Sequence, residues 1–180
     1  MAAHNVSTQL RKLKLVSYNM HDFNQGSPTI NELINTVAPD IILCQEHWLT
    51  PANLDKFDNH YPNYITFGSS AMCNHIESEI IRGRPFGGLM TLIKKDFCNL
   101  MQTIHCEERF TVVKLANYLI INVYLPCVGT KDRLLLCEEL FENLWYWRKR
   151  FMIVSALLPA TLMLTLKTVM MMLAYTLILS

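Results

Sequence analysis

Net charge is almost absent from this chain. Sixteen Lys and Arg stand against fifteen Asp and Glu, a formal balance of +1. A protein that gathers nucleic acid through a general basic field would be more basic, so charge alone names no partner. Paired cysteine motifs are missing too. The six Cys fall at 44, 73, 98, 106, 127 and 137, with no C-x-x-C spacing. Cys73-Asn74-His75 and His105-Cys106 lack the two spaced ligand pairs of a zinc site, and the cysteines read as reduced, buried small apolar residues. Met1–Lys14 has no apolar h-region, so it is not a secretory signal, and the chain reads as intracellular.

The remaining absence is local. Residues 151–180 contain no Asp, Glu, Asn or His and a single charge, Lys167. Every other charged residue lies in 1–150, whereas five of the ten Met sit in the last thirty residues. A length of 180 residues suits one domain, or most of one. The composition divides it into a loose polar N-terminus over 1–12, a folded region over 13–150 and an apolar tail over 151–180.

Residues Leu13–Tyr18 alternate apolar and polar and predict a strand. Ser27-Pro28 reads as a helix start, with Ile30, Leu33, Ile34 and Val37 at helical spacing until Pro39. The apolar run Ile41–Cys44 predicts a short buried strand ending in Gln45, Glu46 and His47. This strand–helix–strand unit delivers polar residues at both strand ends, the place where open α/β folds put metal ligands and catalytic groups. Thr50-Pro51 predicts a short helix to about Phe57. Tyr64–Gly68 and Leu89–Lys94 predict strands, with a loop over Ser69–Pro85. Gly87-Gly88 permits a tight turn or a close backbone approach, the plain turn being the simpler reading. Phe110–Leu115 and Tyr118–Leu125 read as a hairpin. Thr130 caps a helix to about Arg150 whose apolar residues, Trp145 and Trp147 included, would cover a sheet face.

Four blocks stand in order: Val16-Ser17-Tyr18-Asn19, Pro39 through Leu49, Gly87 through Ile93, and Asn122-Val123-Tyr124-Leu125-Pro126. In these the chain resembles the endonuclease/exonuclease/phosphatase superfamily. It is most similar to the apurinic-type endonuclease domains of LINE-type (non-LTR) retrotransposons. The resemblance implies an α/β fold, part of a DNase I-like two-sheet β-sandwich flanked by helices. It implies hydrolysis of a DNA phosphodiester with Mg²⁺ or Mn²⁺. Glu46 would be the metal carboxylate, and Asn19 would place the metal or a phosphate oxygen. Tyr124 would stabilise charge at the phosphate, while Asn122 and Arg133 would lie near the site or on the DNA backbone. His21 and His47 flank matched positions without a catalytic role, His47 being free to vary.

The family also has a Gly-Asp-x-Asn block after the long helix and a late Asp-His pair, and neither is found here. A displaced reading of the tail supplies the first. If Ala160–Leu166 is encoded GCG ACT TTA ATG CTA ACC TTG, a preceding G shifts it to GGC GAC TTT AAT GCT AAC CTT, Gly-Asp-Phe-Asn-Ala-Asn-Leu. The tail then reads as out of frame, and the chain as a truncated, inactive or feeble endonuclease of the nucleus. The alternatives are a catalytically dead interaction or membrane-tethered protein, or a phosphatase of the same superfamily. For tethering, Ala160–Leu179 has the roughly 20 residues of a span. Lys167 at mid-span would cost ~2.5–3.5 kcal/mol. Non-specific membrane association of 151–180 would follow from exposed apolar surface.

Overall fold

The computed structural model describes residues 13–73, 76, 84–116 and 118–151. The loose segment expected over 1–12, and the tail from 152 with its out-of-frame and membrane readings, lie outside the described residues. Among the described residues no helix is long and apolar enough to cross a membrane.

Among the described residues the strands form two sheets. The first contains β1 (Leu15–Asn19), β2 (Ile41–Gln45), β3 (Tyr64–Ser69) and β4 (Leu89–Lys94) in the order β1-β2-β4-β3. The second is the antiparallel meander β5 (Met101–Cys106), β6 (Phe110–Leu115) and β7 (Tyr118–Val123). Helices α1 (Phe23–Thr36) and α2 (Lys56–His60) belong to the first sheet, and α3 (Arg133–Phe151) to the second. The mixed α/β class and the two-sheet arrangement with flanking helices are as the resemblance implied.

Each layer follows from strand alternation. β2 is buried at every position. Its Ile42 and Cys44 join Phe23 and Ile30 of α1 and Phe57 of α2 in one apolar cluster. Its Ile41 and Leu43 face the other way, into a cluster between the sheets with Ile93, Val113, Leu115 and Ile120. The far face of the second sheet contributes Phe110, Val112, Ile121 and Val123, which meet Leu140, Leu144 and Trp147 of α3. Full burial of each such side chain contributes about 1.5–3 kcal/mol. Trp145, by contrast, is exposed, as are Leu134 and Leu135. Only part of the apolar sequence of α3 therefore covers the sheet.

The strand registers gather particular residues at one edge. β1 and β2 run parallel with Asn19 level with Gln45. β4 runs antiparallel to β2 with Leu89 opposite Gln45, so Gly87-Gly88 enters the sheet where β1 and β2 end. At the opposite end the buried Asp40 carboxylate accepts from the Lys14 amide at 2.9 Å and pairs with Lys94 at 3.2 Å. The Pro39-Asp40 part of the sequence block thus anchors the strand entries, far along β2 from Glu46.

Between the sheets lies a polar seam. The Gln45 amide donates to Asn122 Oδ1 at 2.8 Å and to Ser17 Oγ at 3.2 Å. Asn122 Nδ2 donates to the carbonyls of Cys44 and Met90 at 3.1 and 3.2 Å. The Thr91 and Thr111 hydroxyls meet at 3.2 Å. With Asn122 only 1% exposed, these groups have exchanged water for one another. Leaving any of them unpaired costs about 1–3 kcal/mol.

Several local expectations shift. The first helix begins at Phe23, not at Ser27-Pro28. Asp22 is its cap, accepting from the amides of Asn24 and Gln25 at 2.8 and 3.4 Å. Pro28 sits inside the helix, where its missing N–H leaves one carbonyl a turn earlier without its usual donor. β5 was not expected, because only Ile104 interrupts a polar run after Met101. Its pairing to β6 carries a register shift between Thr103 and His105. The cysteines are not uniformly buried: Cys44 is, but Cys98, Cys106 and Cys127 are exposed, and all six are free thiols. Asn122→Ala should lower unfolding free energy by about 1–3 kcal/mol, from the partners it strands in the seam; urea denaturation measures this.

Candidate active site

The site is built where β1, β2 and β7 end. Glu46, the first residue after β2, has φ +56, and Trp48 has φ +53. Left-handed backbone at such bulky residues costs about 1–3 kcal/mol each and persists only where the surroundings over-determine it. Here the Glu46 amide donates to the Gly88 carbonyl at 2.9 Å and the Trp48 amide to the Gly87 carbonyl at 3.0 Å. The paired glycines are therefore more than a plain turn. Both have positive φ, and a Cβ added at Gly88 would sit 2.4 Å from the His47 ring.

His47 is the wedge under this bend. It is fully buried. The Leu49 amide donates to its Nδ1 at 3.0 Å, which leaves Nε2–H to donate to the Ser69 carbonyl at 3.1 Å. That pattern requires the neutral ring, and burial holds the pKa down to about 4. The expectation that His47 varies freely is overturned: any replacement must fill the cavity and satisfy both backbone partners.

The bend aims the Glu46 carboxylate across the ends of β1 and β7. Oε1 accepts from Asn19 Nδ2 at 2.9 Å. The Asn19 amide is itself oriented, since its Oδ1 accepts from the His21 backbone N–H at 3.1 Å. His21 Nδ1 lies 3.8 Å from Glu46 Oε2. The Tyr124 hydroxyl, from the second sheet, lies beside the same carboxylate and contacts Cys127 Sγ at 2.9 Å. Burial, then the Cys127 contact, then the hydrogen bond and charge of Glu46 push the Tyr124 phenol well above its ordinary range. It remains a neutral O–H, available as a donor to an anion.

Glu46, Asn19 and Tyr124 thus meet, drawn from three strands and two sheets. Asn122 does not join them. Its amide is spent inside the seam, so the expected phosphate contact is corrected to an inter-sheet tie two residues below Tyr124. Arg133 donates its Nε to the Pro126 carbonyl at 3.0 Å, which ties the turn after β7 to the start of α3. The sequence reading passed over Trp48 and Arg84. The Arg84 guanidinium carbon lies 5.5 Å from the Trp48 ring centroid, and the His21 ring meets Trp48 edge-on at 4.6 Å. A tryptophan two residues beyond a strand-end carboxylate was the available signal.

Among the described residues no three His, Cys, Asp or Glu side chains stand close enough to form a metal cage. The donors that are present, one carboxylate and one carboxamide, would both ligate through oxygen, a hard donor. One carboxylate suits Mg²⁺ or Mn²⁺, which keeps most of its shell as water and phosphate oxygen, and does not suit a closed zinc site.

Comparison with solved structures gives the fold. The chain is similar to an AP endonuclease from Archaeoglobus fulgidus, with a TM-score of 0.54 and 15% identity over 77% of this chain and 52% of that one. It is similar to the 3' phosphatase NExo from Neisseria, bound to product DNA hairpin, with a TM-score of 0.51 and 16% identity over 74% and 50%. The human Nocturnin catalytic domain with bound sulfate gives 0.50 and 13% over 76% and 59%. The architecture is accordingly a partial DNase I-like fold, and the chain spans about half the length of the solved structures it matches. No family model matches the sequence, and no curated protein does.

The depressed pKa of His47 sets a pH window. Below pH 6.5 the unfolded chain takes up a proton that the folded one refuses until about pH 4. Stability supplied by the neutral wedge should be complete above 6.5 and lost as pH falls across that window, by about 3 kcal/mol in all. Urea midpoints between pH 7.5 and 4.5, with imidazole NMR showing one histidine neutral to about pH 4, would check it.

Proposed function

We propose that the chain carries the Glu46 side of a metal-assisted phosphodiester-cleaving centre directed at DNA, of the LINE-type retrotransposon endonuclease kind. The observation that carries this is the meeting of Glu46, Asn19 and Tyr124 on a backbone bend held in left-handed conformation. Glu46 would hold Mg²⁺ or Mn²⁺, with Asn19 fixing the direction of its carboxylate. The bound cation supplies neutralisation of the phosphate and of the leaving oxygen. Tyr124, kept protonated, donates its O–H to a non-bridging phosphate oxygen, where a donor strengthens as charge develops. DNA as partner is supported by the sequence blocks and by the DNA hairpin held by the Neisseria 3' phosphatase of similar fold. A protein acting this way on chromosomal DNA would work in the nucleus.

The same reading makes the chain as it stands a feeble catalyst. Glu46 and Tyr124 bind and polarise a phosphodiester, but neither is placed to activate the attacking water. The resemblance gives that task to the Asp of Gly-Asp-x-Asn, and residues 152–180 contain no Asp. The out-of-frame reading of Ala160–Leu166 accounts for that gap.

Nicking of supercoiled plasmid with Mg²⁺ tests the proposal. The chain should nick slowly, and a version carrying the shifted Gly-Asp-Phe-Asn reading continued through a whole domain should nick far faster. Glu46→Ala should abolish both activities, and nicking indifferent to Glu46 would sink the reading. Tyr124→Phe in the faster version should lower turnover about 100-fold, with a smaller change in KM, as expected for a donor that acts chiefly in the transition state.

A further inference from the structure

We propose that His21, Trp48 and Arg84 form a base-stacking platform beside Glu46, which takes an unpaired nucleobase next to the phosphodiester held there. The proposal rests on the reading of Glu46 as the phosphate centre.

Three planar groups run outward from the carboxylate. The His21 ring touches Glu46, with Nδ1 3.8 Å from Oε2, and its side chain is 69% exposed. Its edge meets Trp48 at a centroid distance of 4.6 Å and an interplanar angle of 62°. Arg84, also exposed, places its guanidinium carbon 5.5 Å from the Trp48 centroid. The row therefore presents an exposed imidazole and a guanidinium lying over the indole, so a base can stack on the outer face of that guanidinium with Trp48 beneath it. The Arg84 charge at its outer end suits the next phosphate of the same strand.

Trp48 could have been an ordinary core residue, and its surroundings argue against that. His47 and Leu49, its two neighbours, are buried, and Leu49 enters the apolar cluster of the first sheet. Trp48 stays half-buried, on the other side of the chain, with a cation and an imidazole for company. It holds φ +53, and His21 holds φ +50. Strained backbone of this kind gathers at functional sites, where the structure around it fixes the direction of a side chain. Here the Gly87 carbonyl fixes Trp48 at 3.0 Å and the Asn19 side chain fixes the His21 amide at 3.1 Å. The groups that orient the carboxylate therefore also orient the platform.

The ligand follows from the geometry. A base inside a duplex has both faces covered by its neighbours, so only an unpaired or extruded base can lie against these rings. Stacking reads no base edge, so the platform is tolerant of sequence.

The test is binding by the full chain without divalent metal, followed by fluorescence anisotropy of three labelled strands of equal length. These are single-stranded oligothymidylate, the same backbone with tetrahydrofuran in place of every base, and a duplex. Wild type should bind oligothymidylate about tenfold more tightly than the base-less strand, the scale of one or two stacked bases. Trp48→Ala should reduce that ratio to below about twofold while leaving affinity for the base-less strand unchanged. Arg84→Ala should reduce the ratio likewise and also weaken both strands through loss of its phosphate contact, and Trp48→Phe should keep most of the ratio. Arg84 is exposed, so Arg84→Ala keeps the test decisive if Trp48→Ala fails to fold. Equal affinity for base-bearing and base-less strands, a ratio untouched by either variant, or no measurable binding to oligothymidylate would each overturn the proposal. The two readings fail separately. Plasmid nicking that needs Glu46, with no base-dependent ratio, removes the platform alone. A Trp48-dependent ratio in a chain whose nicking ignores Glu46 supports the platform and removes only its catalytic neighbour.

Discussion

The Asn122 amide is the contact on which the rest of the site depends. Two apolar sheet faces can slide over each other at little cost, because the hydrophobic effect is not directional. A buried amide cannot slide. Asn122 donates to two carbonyls of the first sheet and accepts from Gln45, so a displacement of the seam would leave several buried polar groups unpaired. That penalty fixes the register between the sheets. Gln45 is one residue before Glu46, and Asn122 is two before Tyr124. The seam therefore places a carboxylate from one sheet and a phenol from the other side by side.

The second constraint is the bend after β2. An extended chain would have carried Glu46 onward in the strand direction. Left-handed backbone at Glu46 and Trp48 turns the chain so that one carboxylate faces β1 and β7. Gly87-Gly88 makes this possible by coming close enough to accept both amides, and a side chain at Gly88 would collide with His47. His47 fills the space beneath as a neutral ring whose two nitrogens each have a backbone partner. The strain at the site is thus held by groups that take no part in chemistry.

This arrangement also explains why some site residues were recognisable before the fold was known and others were not. Glu46 stands at the end of a short buried strand, which marked it as a strand-end carboxylate, and Tyr124 was singled out by the resemblance of the Asn122–Pro126 block. Asn19, the last residue of β1, was singled out by the same resemblance. Asn122 carried the same surface signals as Tyr124, yet it points inward, because side chains two apart on β7 face the same way only while the strand continues. The part played by His47 was hidden because a histidine beside a carboxylate reads equally as wall or as solvent-facing residue. The aromatic row was hidden because His21, Trp48 and Arg84 are far apart in sequence, and no periodicity links them. At α1 the Ser-Pro pair suggested a start that Asp22 pre-empts, since a carboxylate cap with two amide donors outweighs a proline's preference for the first turn.

The amino-acid sequence by itself determined the α/β class, the strand–helix–strand unit, the strands β2, β4 and β6, and the place of a carboxylate at the end of β2. Those follow from local propensity and from apolar alternation, which act over a few residues. Tertiary structure alone decided that Asn122 ties the sheets, that His47 is a neutral wedge, that the paired glycines accept the amides of Glu46 and Trp48, and that Arg84 covers Trp48. Each of these depends on hydrogen bonds or ring contacts between residues 20 to 80 positions apart, and their energies exist only once packing has removed water from both partners.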